Sequence, residues 1–155
     1  MEEIAMAYDS TEDTVDHIAM VRDNLDQVNM DLDRRAMVHD TSKLRDPEKS
    51  VFDEYTPKLK ALTYGSDEYK ESMRGMCVAL EHHYASNSHH PQHYENGIDG
   101  MSLLDLIEML ADWKAATSRH ADGDMAKSLK INETRFNISP QLQAILENTV
   151  RELGW

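Results

Sequence analysis

The sequence has almost no cysteine and few phenylalanines. Cys77 is the single cysteine among 155 residues, which excludes an internal disulfide and a zinc site built from several thiolates. A lone thiol fits a protein of the reducing cytosol. Phenylalanine occurs twice and methionine ten times, so we expect an aliphatic core padded with methionine.

Positive charge and long apolar runs are also scarce. Lysine and arginine number 16 against 29 aspartates and glutamates, for a formal charge of −13, which argues against binding to a nucleic-acid backbone. No apolar run approaches the roughly 18 residues of a membrane-spanning helix. The acidic start of the sequence is unlike a signal peptide. We therefore expect a soluble cytoplasmic protein without membrane partners.

Several common catalytic motifs are absent. The chain has no glycine-rich phosphate loop, no His-Glu-x-x-His pair and no Gly-x-Ser-x-Gly elbow. Glu81, His82 and His83 do not form a zinc-protease motif, because adjacent histidines cannot lie on one face of a helix. The enzyme classes that depend on these motifs are set aside.

Apolar residues recur at helical spacing along most of the chain, and we find no convincing strand. The length allows one hydrophobic core, so residues 1–155 are expected to form a single compact all-α domain of six or seven helices. The first ten residues are expected to be disordered.

The expected helices follow from capping residues and from this periodicity. The first begins at Ser10 or Thr11 and lasts about five turns, and Asp33 is expected to cap a second helix over residues 34–43. The later helices are expected over residues 47–61 with Pro57 inside, from Ser66 through His83, from a Ser102 cap to about residue 117, over residues 125–136, and from a Ser139 cap to Gly154.

A histidine and a carboxylate stand side by side at His39 and Asp40. Adjacent side chains on a helix point about 100° apart, so these two converge only on a small object between them, such as a metal ion. The alternative is a buried histidine beside a solvent-facing aspartate. The number of other histidines in the chain favours a metal ion. These histidines are His17, His82, His83, His89, His90 and His93.

The phase of the fourth expected helix distinguishes between two of these histidines. It places His83 on the inward face and His82 about a quarter turn away, so His83 is the preferred ligand. The following residues, 85–100, have no helical period, yet three histidines occur in five positions there. The alternative interpretation of that segment is a surface loop that binds metal weakly.

The helix after Ser102 is apolar around most of its circumference, except for one wedge that holds Asp105, Glu108 and Asp112. A helix of this kind is buried on most sides. Buried carboxylates need partners because an unpaired buried charge is costly. A bound cation is the simplest partner.

Taken in order, these residues resemble the HD superfamily of metal-dependent phosphohydrolases, in particular a small branch found in bacteria and phages. The resemblance covers about residues 14–153. In it, His17 is the first histidine and Val38-His39-Asp40-Thr41-Ser42-Lys43 is the His-Asp motif. The middle histidines are His83 with His89 or His90, and Asp112 is the closing aspartate.

The resemblance implies an HD-like fold that holds one or two divalent metal ions. His17, His39, Asp40 and Asp112 would bind one ion; His83 with His89 or His90 would bind a second, with Asp40 as the bridge. Imidazole and carboxylate ligands without thiolates suit Mn²⁺, Fe²⁺, Co²⁺, Ni²⁺ or Zn²⁺, and Mg²⁺ if the carboxylates dominate.

The implied activity is hydrolysis of phosphate esters or anhydrides of a nucleotide or a similar small phosphorylated metabolite by metal-activated water. Asp40, His83 and Lys43 are the expected catalytic residues, and with one ion His83 could act as a general acid or base. Lys43 is the expected phosphate contact, with a solvated helix-end lysine as the alternative. Lower-ranked substrate contacts are Tyr94, Arg119, Lys127 and Arg135, with packing or solvation as the alternative.

Two other functions stay open from the sequence. A di-iron oxygenase of the inositol-oxygenase type uses the same order of ligands within the superfamily. A non-catalytic binding module could keep the metal as a structural clamp. The sequence also leaves open whether the chain forms a homo-oligomer.

Overall fold

The protein is described by a computed structural model that covers residues 8–62, 67–118 and 123–155. The regular secondary structure of these residues is entirely helical, which confirms the predicted all-α fold. Within these ranges, none of the helices combines the length and the apolar character that crossing a membrane requires.

The described residues form seven α-helices and three short 3₁₀ helices. By contacts between their residues they divide into two compact units: the described residues up to Met37 form the first, and those from Val38 onward form the second. The α-helices are α1 (Thr11–Val38), α2 (Glu48–Lys60), α3 (Asp67–Gly75), α4 (Cys77–Ser86), α5 (Leu103–Thr117), α6 (Met125–Phe136) and α7 (Pro140–Glu152), and the 3₁₀ helices are Thr41–Leu44, Pro91–His93 and Gly97–Gly100.

Helix α1 is longer than the sequence predicts. The prediction that Asp33 caps a second helix is wrong, because α1 continues through Asp33 to Val38. No glycine or proline interrupts this stretch. Arg34 and Arg35 both pair with Asp31, at 2.5 and 2.7 Å, and such pairs one turn apart support the helix across the predicted boundary.

His39 and Asp40 follow α1 instead of lying within a second helix. Asp40 has a left-handed backbone, with φ 57° and ψ 11°, a conformation that aspartate tolerates better than most residues with a side chain. The 3₁₀ helix Thr41–Leu44 begins directly after it, and the Lys43 amide donates to the Asp40 carbonyl at 2.9 Å. The orientation of the two side chains is therefore set by a turn.

Helix α2 agrees with its predicted range and contains Pro57 as predicted. The single helix predicted through His83 is wrong, because α3 ends at Gly75 and α4 begins at Cys77. Glycine is a poor residue for a helix interior, and here it allows a close approach: a Cβ at Gly75 would lie 2.4 Å from the Tyr55 hydroxyl. The predicted start at Ser66 lies outside the described residues.

The predicted orientation of His83 is confirmed, since its residue surface is 2% exposed, whereas the side chain of His82 is 44% exposed.

Helices α5, α6 and α7 build the hydrophobic core of the second unit. Their predicted N-caps are confirmed: Ser102 accepts from the Asp105 amide, and Ser139 precedes Pro140 and accepts from the Leu142 amide. The predicted range of α6 is also confirmed. The core is aliphatic and contains methionine, as expected; its buried members are Ile98, Met109, Leu110, Met125, Leu129, Ile138, Leu146 and Val150.

A buried carboxylate attaches the histidine-rich loop, residues 87–93, to the start of α5. Asp105 is 3% exposed and accepts hydrogen bonds from the Ser88 hydroxyl at 2.7 Å and from the Tyr94 hydroxyl at 2.8 Å. It also accepts from the Ser102 amide and hydroxyl. The loop therefore has a defined position relative to the carboxylates farther along α5.

Candidate metal centre

The second unit brings several histidine and carboxylate side chains together from four segments of the chain. Among the described residues, three groups have ligand atoms that lie within 4.8 Å of one another. The first contains Asp40, His83, His89 and His90, the second contains His39, Asp40 and Asp112, and the third contains His39, His89 and Glu108. The first two, which share Asp40, are called the ligand groups. Asp40 belongs to both ligand groups, so its carboxylate lies at the centre of the cluster.

The spacing in the first group is that of ligands to one ion. The Nε2 atoms of His83 and His90 are 2.8 Å apart, and Asp40 Oδ1 lies 3.3 Å from His83 Nε2 and 3.5 Å from His89 Nε2. Ligand atoms bonded at about 2.1 Å to one ion lie roughly 3.0 to 3.4 Å apart at octahedral or tetrahedral angles. These side chains can therefore converge on a cation without a rearrangement of the backbone.

The second group is somewhat wider. His39 Nε2 lies 3.6 Å from Asp40 Oδ2 and 3.8 Å from Asp112 Oδ1. These separations are too long for hydrogen bonds and leave room for an ion between the three side chains. The side chains are half-buried, so this group faces the more open edge of the cluster.

Two buried atoms show that the cluster fits a cation. Within the described part of the chain, Asp40 Oδ1 and His89 Nε2 have no hydrogen-bond partner. A buried polar atom without a partner costs about 1 to 3 kcal/mol, yet these two face each other at 3.5 Å. A divalent cation would accept both lone pairs at once, and nitrogen and oxygen donors without thiolates suit a transition metal.

Glu108 orients two of the histidines. Its Oε1 atom lies 2.9 Å from His39 Nδ1 and 3.2 Å from His89 Nδ1. Because a carboxylate only accepts hydrogen bonds, both rings donate through Nδ1. Their Nε2 atoms therefore face the centre of the cluster. The sequence placed Glu108 on the same helical wedge as Asp112 but did not indicate this different role.

A second glutamate was missed by the sequence analysis. Glu48 is fully buried, at 0% exposure, and it accepts hydrogen bonds from the Nδ1 atoms of His82 and His83. In the sequence it is an ordinary acidic residue in the first turn of a helix, after Pro47. No pattern distinguishes it there, because its partners lie 34 and 35 residues away.

The aspartates of the cluster are charged at neutral pH. Burial by itself would raise the pKa of Asp40, but the Lys43 ammonium, 2.6 Å from Oδ2, together with His39 and His83 holds it below the ordinary value. Burial would likewise raise the pKa of Asp112, and His39 lowers it. Two carboxylates in the ionised form give the centre the negative charge that a cation requires.

The histidines divide into two kinds. The nearby Asp112 carboxylate, supported by Glu108 and against the effect of burial, raises the pKa of His39 to about 9. Burial lowers the pKa of His83 and of His89, and burial with the neighbouring His89 lowers that of His90 to about 3. At neutral pH the last three rings are therefore in the neutral form that ligates metals.

Metal binding is expected to release a proton from His39. Its pKa lies above the ordinary value, so the ring carries a proton below about pH 9, whereas a ligand must be deprotonated. The apparent affinity for Mn²⁺ should therefore rise about tenfold per pH unit from pH 7 to pH 8.5. Calorimetric titrations in buffers of different ionisation enthalpy measure this release. An affinity that is independent of pH over that interval would exclude His39 as a ligand.

The remaining predicted residues lie in different places. Lys43 pairs with Asp40 and lies over the Phe52 ring, at the edge of the cluster. Tyr94 binds Asp105, as described above. The others are His17, exposed on α1 in the first unit; Lys127 and Arg135, exposed on α6; and Arg119, which lies outside the described residues. Their predicted roles stay predictions.

Asp112→Ala is expected to lower metal content more than Asp105→Ala. Asp112 faces His39 in the second ligand group, whereas Asp105 uses its oxygens to hold the loop and the N-terminus of α5. Asp105→Ala should instead reduce the free energy of unfolding by about 2 to 4 kcal/mol, because it leaves buried donors without an acceptor.

Elemental analysis and urea unfolding of both variants measure these two effects. If Asp105→Ala removes the metal while Asp112→Ala retains it, the assignment of the closing aspartate is wrong.

Comparison with known proteins gives a family but no characterised relative. Neither the curated proteins nor the solved structures yield a significant match to this chain. A family model does match residues 6–152, which is nearly the whole chain. The chain therefore belongs to DUF5662, a family of unknown function.

Proposed function

We propose that this protein is a metal-dependent phosphohydrolase that acts on a nucleotide or a similar small phosphorylated metabolite, and that it is a member of the HD superfamily. The observation that carries the proposal is a pair of buried atoms, Asp40 Oδ1 and His89 Nε2, that have no hydrogen-bond partner among the described residues and lie inside a cluster of histidines and aspartates. The order of these residues along the chain, which resembles the HD superfamily, adds to it.

The metal would be held by the two groups that share Asp40. His39, Asp40 and Asp112 would bind one ion, and Asp40, His83, His89 and His90 contain the ligands for another. A bound Mn²⁺, Fe²⁺, Co²⁺, Ni²⁺, Zn²⁺ or Mg²⁺ ion would act as a Lewis acid that lowers the pKa of water and neutralises charge on a phosphoryl group.

Lys43 would supply the positive charge that an anionic substrate needs in a chain of formal charge −13. Its ammonium is held 2.6 Å from Asp40 Oδ2 and 5.4 Å from the centre of the Phe52 ring. These contacts keep a partly exposed cation beside the ligand cluster. A phosphate oxygen can bind there while Asp40 remains in place.

His83 would move a proton if only one ion binds. Its Nε2 atom then lies beside His90 Nε2, at 2.8 Å, and can accept or donate a proton within the buried part of the site. With two ions, the same atom would be a ligand. We place the activity in the cytoplasm, because Cys77 is a free and exposed thiol.

A phosphate-release screen tests the proposal. The protein is purified without chelator and incubated with nucleoside mono- and triphosphates and with sugar phosphates, in the presence of each of the six metals. We expect release from at least one substrate class that depends on added metal and is lost on chelation. The Asp40→Asn variant is the negative control, because Asp40 belongs to both ligand groups.

Two outcomes of this screen, combined with a measurement of oxygen consumption, would contradict the proposal. Oxygen consumption by the iron-loaded protein, without phosphate release, would favour a di-iron oxygenase. Metal binding without either activity would favour a non-catalytic binding module.

A further inference from the structure

We propose that Glu48 is a positioning residue of the metal centre, which fixes the proton of the His83 ring on Nδ1 and so directs Nε2 towards Asp40 and His90. This inference rests on the metal centre proposed above. Glu48 is the first residue of α2 and belongs to neither ligand group. It would act on the metal only through His83.

The burial of Glu48 is unusual for a carboxylate. Its side chain is 0% exposed, and a buried charge is tolerated only when hydrogen bonds satisfy it. The carboxylate has three partners from two other segments: His82 Nδ1 at 2.7 Å, His83 Nδ1 at 2.9 Å, and the Ser42 hydroxyl at 3.0 Å. The helix N-terminus adds a favourable dipole. These contacts join α2 to α4 and to the segment that follows Asp40.

The hydrogen bonds assign the proton of the His83 ring. Glu48 can only accept, so the 2.9 Å contact requires a hydrogen on His83 Nδ1. The Asn87 amide also lies near Nδ1, but its two hydrogens have shorter contacts, with the His83 carbonyl at 2.7 Å and the Ser42 hydroxyl at 2.9 Å. The single hydrogen of Ser42 is in turn donated to Glu48. Among the described residues, no other donor is left to compete with the ring proton at Nδ1.

The proton on His83 Nδ1 determines the state of the other ring nitrogen, Nε2. With the proton on Nδ1, the neutral ring of His83 presents a lone pair at Nε2, which is 3.3 Å from Asp40 Oδ1. Glu108 makes the same type of contact with the Nδ1 atoms of His39 and His89. Two glutamates thus orient three histidines towards one carboxylate: Glu108 contacts His39 and His89, and Glu48 contacts His83.

His82 supplies a matched control within the same hydrogen-bond network. It also donates to Glu48, but its side chain is 44% exposed and it belongs to neither ligand group. His82→Ala therefore removes one donor from Glu48 and leaves the contact with His83 intact. Glu54→Gln, an exposed position on the same helix with a surface pair to Lys58, controls for the loss of a charge.

The first experiment uses the unaltered, metal-free protein. Two-bond ¹H–¹⁵N correlation spectra of the histidine rings distinguish a proton on Nδ1 from a proton on Nε2. We expect the Nδ1-protonated tautomer for His83, assigned through the His83→Gln spectrum. The Nε2-protonated tautomer at His83 would overturn the proposal, and this result requires no Glu48 variant to fold.

The second experiment uses Glu48→Gln, whose amide can donate to His83 Nδ1 and so favour the wrong tautomer. We expect the ring signal to move towards the Nε2-protonated form and the affinity for Co²⁺, followed by its visible absorption, to fall about 10- to 100-fold. His82→Ala and Glu54→Gln should retain the wild-type affinity within about twofold. A folded Glu48→Gln protein with unchanged tautomer and unchanged Co²⁺ affinity would overturn the proposal.

These readouts are separate from the test of the proposed function. A protein that releases no phosphate from any substrate, yet shows the expected tautomer and the weaker Co²⁺ binding of Glu48→Gln, contradicts the phosphohydrolase and supports the role of Glu48. Phosphate release that is unaltered in a folded Glu48→Gln protein with unchanged Co²⁺ affinity supports the phosphohydrolase and contradicts the role of Glu48.

Discussion

Asp40→Asn is expected to abolish metal binding and to reduce phosphate release by on the order of a thousandfold or more, about 4 kcal/mol of transition-state stabilisation. Asp40 is the residue that both ligand groups share, so its loss affects every ion that these two groups would hold. Its Oδ1 atom lies within 3.5 Å of both His83 Nε2 and His89 Nε2. An amide carries no charge to compensate a divalent cation.

The choice of asparagine keeps the fold intact for this test. Asp40 has a left-handed backbone with φ 57°, which asparagine tolerates and alanine does not. Within the described part of the metal-free protein, Asp40 Oδ1 has no hydrogen-bond partner, so we expect its replacement by an amide atom to cause little loss of thermal stability. Asp99→Asn, at an exposed position, is the control. An Asp40→Asn protein that keeps its metal would show that the ligand groups are misassigned.

His83→Ala is expected to reduce catalysis by on the order of a hundredfold or more. The His83 ring is buried between Glu48 and Asp40, and its Nε2 atom faces the cluster. His82→Ala should have little effect, because that ring lies at the surface, contacts Glu48 and belongs to neither ligand group. Steady-state turnover and metal content of both variants measure the difference.

Metal content separates two roles for His83. A fall from two ions per chain to one identifies it as a ligand, whereas unchanged content with lost turnover identifies a general acid or base. Equal and mild effects of His82→Ala and His83→Ala would contradict the placement of α4 at the site.

The sequence predicts those features of the fold that depend on neighbouring residues. The range of α6 and the caps at Ser102 and Ser139 follow from local side-chain chemistry. The inward orientation of His83 follows from helical phase, and it holds although α3 and α4 are separate helices. The break at Gly75 depends on the approach of Tyr55 from another helix. The spacing of apolar residues along the sequence gives no information about such a contact.

The carboxylates of α5 illustrate which features of the candidate site the sequence does not predict. Periodicity places Asp105, Glu108 and Asp112 on one wedge of the helix, but it gives them the same environment. In the structure Asp105 holds a loop, Glu108 orients two rings, and Asp112 belongs to a ligand group. These roles depend on distances to residues from other segments, and such distances are set by tertiary packing.

Direct determination of bound metal tests the central claim, that the histidine and aspartate cluster of the second unit is a metal centre. The protein is purified without chelator, and its metal content is measured before and after saturation with Mn²⁺, Co²⁺, Ni²⁺ or Zn²⁺ and removal of the free ion. We predict one or two tightly bound ions per chain in the unaltered protein and none in Asp40→Asn. A saturated wild-type protein that retains no ion, or an Asp40→Asn variant that retains as much as the wild type, would contradict the claim.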